Sequence, residues 1–267
     1  MADLFSPVRV YAVARNTYRE ALRNRAFLGL VVFAVAFIFL SLAMSEMSIV
    51  GQEVRVVSSF GFFAISLVGA ITAIVMGALL VHKEVERKTI YTIVSKPIHR
   101  HEFIVGKLVG LVGILVVQVA ILAVVWAFVV HLQGGQVGIE HLKGLGLIIV
   151  EVSLVASIAV MFSAFSSPVL TGLFSLGIFV VGRLVPLMEE MLSASRGLFV
   201  DHAVARFLGE AAVAVLPDLS VFNVSQQVLL GVPVHMSYLG EALLYGGAYG
   251  LIFLVIAVWA FERRDFI

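Results

Sequence analysis

Glu151 and Arg183 are opposite charges set inside two neighbouring apolar runs, Leu145–Phe165 and Pro168–Leu187. In lipid, a carboxylate at that depth costs roughly 2.5–3.5 kcal/mol on insertion scales unless it is paired or protonated. The runs meet at Ser166-Ser167, with Glu151 15 residues before Ser166 and Arg183 15 residues after Pro168. As antiparallel helices they hold both groups at one height. That arrangement suits a structural ion pair, a polar lining for a translocation path, or an arginine snorkelling to the surface. Gln118, near mid-height of another run, is expected either to hydrogen-bond between helices or to touch a substrate. No other constellation suggests chemistry. There is no H-E-x-x-H, G-x-S-x-G or pair of apolar-run aspartates, and no cysteine. The seven histidines show no ligand spacing, so no catalytic residue and no metal site are expected.

A second candidate is the charged segment His82–Lys107, HKEVERKTIYTIVSKPIHRHEFIVGK. Nothing breaks a helix from Lys83 to Val94, and Glu84 with Lys88 is a favourable i,i+4 pair. Lys96-Pro97 stops the helix, because the residue before proline is pushed out of the helical region. A hairpin results, with Ile90, Ile93 and Val94 at its tip and charges on its flanks. Apolar residues rimmed by charge mark a partner surface. The other reading is a connector whose apolar residues fold back under the bundle.

The surrounding elements are set by composition: 61% of the residues are hydrophobic and 13% are charged, against about a quarter charged in soluble domains. Six stretches reach the ~20 apolar residues that cross a ~30 Å hydrocarbon core. They are Ala26–Ser45, Phe60–Val81, Leu108–Val130, Leu145–Phe165, Pro168–Leu187 and Leu239–Phe261. Barrel strands would alternate polar and apolar residues; these runs do not. The expected fold is an all-α polytopic membrane protein with one transmembrane domain over 1–267. The first run reads as a retained anchor, since no small-residue cleavage site follows it. The prolines lie in loops, at span ends or near the N-terminus, Pro186 being assigned to the end of the fifth span.

Residues 6–25 read as an amphipathic interfacial helix, with Ser6 as N-cap and Pro7 at its first position. Tyr11, Ala14, Tyr18 and Leu22 fall on one face. Residues 188–238 form a long outer segment with amphipathic pieces around Glu189–Phe199 and Ala203–Val215. Thirteen of the eighteen Lys and Arg residues collect on the side that holds both termini and the 82–107 segment. By the positive-inside rule that side is the cytoplasm, so the expected location is the cytoplasmic (inner) membrane. No basic tract suggests nucleic acid.

The 82–107 segment resembles the cytoplasmic loop of type 2 membrane domains of ATP-binding-cassette (ABC) transporters. Glu84, Glu86, Thr89, Ile93, Pro97, Arg100 and Lys107 match that family's paired glutamates, threonine, apolar stretch, proline, arginine and lysine. Lys88 stands where many members have glycine. The likeness runs on through the basic N-terminal helix, the six spans and the Phe261–Asp265 ending. Leu216–Gly231 is similar to the subgroup containing the nitrous-oxide-reductase maturation permease. The resemblance implies a permease subunit, an exporter, working as a pair with a second copy or a paralogue. It further implies that Glu84, Glu86, Thr89, Ile90, Ile93, Val94, Pro97 and Arg100 couple the chain to a cytosolic ATPase. Because the chain lacks G-x-x-x-x-G-K-[ST], ATP and Mg are expected in that partner, with no cofactor on this chain. A membrane anchor that transmits force without moving a substrate is the alternative function.

Overall fold

The computed structural model describes residues 6–48, 51–86, 99–194 and 203–263, and of 81–86 the backbone alone. Most of the described residues are helical, with no strand among them. The order is α1 (Pro7–Leu22), α2 (Arg25–Glu46), α3 (Glu53–Glu86), α4 (Arg100–Leu132), α5 (Ile139–Ser163) and α6 (Pro168–Ser193). There follow α7 (Ala203–Val215), a 3-10 turn (Leu219–Phe222), the short α8 (Ser225–Leu229) and α9 (Met236–Glu262). Six of these helices, α2 to α6 and α9, are long and apolar enough to cross a membrane. The backbone of an apolar run has no water to bond to, and a helix satisfies it internally.

Local chemistry places the ends. Asn24 Oδ1 accepts from the Ala26 N–H at 2.9 Å to start α2, and Ser167 starts α6 with Pro168 behind it. At the far end of α4, Gly134 adopts φ +76°, and the Gly135 N–H donates to the Val130 carbonyl. That left-handed step costs least at glycine.

Helices α3 and α5 form the centre. In each, 72% of the apolar stretch is buried, against 22% in α2, 28% in α6 and 17% in α9. Lipid gives helices no hydrophobic reason to associate, so close backbone approach must hold them. Glycines supply it: a Cβ on Gly69 would meet Val152 at 2.8 Å, and one on Gly77 would meet Ala159 at 2.6 Å. At the end of the bundle that includes the start of α3, Trp126 lies over Gly61, with its ring centroid 5.1 Å from that of Phe62.

One expectation needs correction. Helix α6 continues through Pro186 to Ser193, so this proline is inside a helix and not at its end. It removes one N–H, which leaves the Gly182 carbonyl without its helical donor. Helix α1 docks through Val13, Ala14 and Thr17 onto Gly106 and Gly110 of α4, while Tyr11 and Leu22 are exposed. A Cβ on Gly110 would stand 2.5 Å from the Ala14 carbonyl oxygen. Closeness, not apolarity, selects the face. Ser6 sits at the N-cap position without a side-chain capping bond; its N–H donates to Glu102 at 2.6 Å instead.

Candidate functional site

Glu151 and Arg183 do meet. Both the Arg183 Nε and Nη2 groups donate to Glu151 Oε1, at 2.9 and 2.6 Å. Ser66, from the middle of α3, donates its hydroxyl to Glu151 Oε2 at 2.7 Å and accepts from Arg183 Nη2. Three helices thus share one polar knot. The Glu151 side chain is fully buried, and that of Arg183 is 23% exposed. The Arg183 guanidinium carbon also stands 5.4 Å from the centroid of Phe179, a contact that favours a cation. Each carboxylate oxygen therefore has a donor, which is the condition for keeping a charge inside.

The knot floors a pocket of about 120 Å³. Its polar lining is Ser59, Ser66, Glu151, Arg183, Asn223 and Ser225, among aromatic residues including Phe62 and Phe222. The part contributed by 222–225 is held by bonds on both sides. The Asp218 N–H donates to the Tyr245 hydroxyl at 2.7 Å, and the Tyr238 hydroxyl donates to the Val221 carbonyl at 2.6 Å. Val234 is gripped at both polar atoms: its N–H donates to Glu140 at 2.8 Å, and its carbonyl accepts from Lys143 at 2.7 Å. The segment from 217 to 234 is thereby fastened to α5 and α9, and Gly182 of α6 lies close under the Pro217 carbonyl.

Gln118 lies apart from this pocket. Its Nε2 donates to Thr72 on α3 at 2.9 Å, and Thr72 in turn donates to the Val68 carbonyl. The Gln118 amide oxygen has no partner among the described residues. Of the expected coupling residues, Arg100 alone has a described side chain. It donates to the last carbonyls of α9, at 2.9 Å for Glu262 and 3.4 Å for Phe261, where a cation suits a helix C-terminus. Glu84 and Glu86 stand in the last turns of α3, their side chains outside the described residues; Thr89, Ile90, Ile93, Val94 and Pro97 lie wholly outside them.

Two groups of residues matter that the sequence reading did not single out. Ser66 is one serine among many and carries no signal of its own. Glu102 is buried at the start of α4, where it accepts from Arg9 Nη2 at 2.9 Å, from the Ser6 N–H and from the His99 N–H at 3.1 Å. Glutamate three residues after the N-cap is a readable helix-start signature. Lys107, matched above to the family's lysine, is buried with Nζ 5.4 Å from the Phe103 centroid. Among the described residues, no group of three His, Cys, Asp or Glu side chains is placed to hold a metal ion.

No curated protein matches the chain. The family model described as "ABC-2 family transporter protein" matches residues 11–266, from within α1 to past the end of α9. With six apolar helices and a match over nearly its whole length, the chain belongs to the ABC-2 transporter family and is a membrane subunit of an ABC transporter.

Proposed function

We propose that this chain is the permease of an exporter in the cytoplasmic membrane, driven by a separate cytosolic ATPase and paired with a second copy or a paralogue. The family match over 11–266 carries the reading. In this reading the bundle end bearing the start of α4 and the end of α9 faces the cytoplasm. The 82–107 hairpin there docks into the ATPase and passes its closure to α3 and α4, the helices it joins. Coupling rests on Ile90, Ile93 and Val94 at the tip, with Glu84, Glu86, Thr89, Pro97 and Arg100 setting its register. The long helices support a lever of this kind. At ~1.5 Å per residue, the 34 residues of α3 and 33 of α4 run to about 50 Å, well beyond a ~30 Å hydrocarbon core.

The test is Ile93→Asp. A desolvated carboxylate in an apolar groove has no partner, so the ATPase should no longer co-purify and transport-linked ATP hydrolysis should fall to background. Glu86→Ala should keep the complex and weaken coupling. Wild-type co-purification and hydrolysis in Ile93→Asp would remove the hairpin from the mechanism. ATP-dependent flux in reconstituted vesicles then separates a permease from an anchor that moves nothing.

A further inference from the structure

The polar lining of the 120 Å³ pocket has more free N–H donors than free acceptor-only oxygens. Its acceptor-only oxygens are each engaged: Glu151 Oε1 takes two bonds from Arg183, Glu151 Oε2 takes one from Ser66, and Asn223 Oδ1 takes the Ser225 hydroxyl at 2.6 Å. Its donors are not. Among the described residues, Arg183 Nη1 and Asn223 Nδ2, which can only donate, make no hydrogen bond to protein, and neither does the Ser59 hydroxyl, which can donate or accept; Ser59 and Asn223 are exposed. A site whose acceptor-only oxygens are engaged and whose N–H donors are unused, one of them on a guanidinium, with hydroxyls that can turn to donate, matches a ligand made of acceptors. Glu151 does not forbid an anion there, since its charge is matched by Arg183 and its oxygens are covered. At ~10–15 Å³ per water by this measure, the volume holds roughly ten waters, room for an oxyanion with part of its hydration.

From this we infer that the pocket between Ser59, Arg183 and Asn223 binds a small oxyanion of the carboxylate, sulfate or phosphate type. The inference goes beyond the permease reading and does not need it, because binding can be measured on the full chain without an ATPase. Because Glu151 and Arg183 cancel, affinity should be modest, with Kd on the order of 1 mM.

The protein carries its own reporter. Trp126 packs on Phe62, which lines the pocket, and Trp259 is the second of two tryptophans. In a Trp259→Phe chain in maltoside micelles, sulfate titrated at constant ionic strength against chloride should change Trp126 fluorescence saturably, with phosphate and acetate competing. Asn223→Asp keeps the Oδ1 acceptor for Ser225 but exchanges a donor for a negative charge at an exposed position. It should weaken sulfate binding by about tenfold or more, and Ser59→Ala by less. The same titration in phosphatidylglycerol nanodiscs identifies the source: an unchanged curve means a soluble anion, and a curve displaced by lipid means a headgroup phosphate. A response in micelles that is linear in salt, or identical in Asn223→Asp and its parent, overturns the site.

Discussion

Removing Arg183 leaves Glu151 buried with one hydroxyl donor, and the cost of such a stranded charge is ~3–5 kcal/mol. Arg183→Ala should therefore destabilise the bundle by about that amount in reversible denaturation from mixed micelles. Glu151→Gln should cost less, because a neutral amide can still accept from Ser66. Reversing both charges together should recover much of the loss from either single change, with a coupling of at least ~1 kcal/mol in the double-mutant cycle. A coupling near zero would mean that the two groups do not act as a pair. The partnership was legible in the sequence because rare charges in apolar runs flanked a tight Ser166-Ser167 turn, which converts residue offsets into heights. Ser66 was not legible. The connection from α3 to α5 passes through all of α4, so no offset fixes its height, and a serine in an apolar helix usually bonds its own backbone, as Ser41 and Ser157 do.

Helices α1 and α4 approach closely, because Gly106 and Gly110 expose bare backbone to Val13, Ala14 and Thr17. The salt bridge from Arg9 to Glu102 fixes the register at one end of that contact. A Cβ at Gly110 has no room, and flexible neighbours cannot yield, since the nearest atom is the Ala14 carbonyl oxygen at 2.5 Å. Gly110→Leu should thus peel α1 away, at an overpacking cost of about 1–3 kcal/mol. The measurement is maleimide labelling of Thr17→Cys, a buried position: slow in the parent, fast once Gly110 is replaced. Slow labelling in both chains would show that α1 is held by something other than this face. The helix itself followed from Pro7 and the 3.6-residue periodicity. Its docking face did not, because periodicity ranks apolar residues and says nothing about how near two backbones can come.

At the scale of the molecule, the number of crossings decides where the chain ends lie. Helix α7 and the Leu219–Leu229 piece together form an apolar pair bent by 46°, so length and composition alone would allow a seventh crossing. The packing argues otherwise. Helix α6 arrives beside Pro217 and Leu219 at Gly182, and α9 departs beside Val221 and Phe222 at Tyr238 and Gly246. Residues 217 to 222 therefore sit against α6 and α9 at the same end of the bundle. At the opposite end, Phe261 of α9 stacks on Phe103 of α4 at 5.8 Å, next to α1. Six crossings then place the exposed Arg23 and Arg263 on one side and the exposed Gln227 on the other. In the proposed orientation that side, where the basic residues concentrate, faces the cytoplasm. Single cysteines at these three positions should accordingly divide. Arg23→Cys and Arg263→Cys should react with an impermeant maleimide only after the cells are opened, and Gln227→Cys should react on intact cells. If Arg23 and Arg263 labelled from opposite sides, the bent pair would be a true crossing, and the closed path from α6 back to α9 would be wrong.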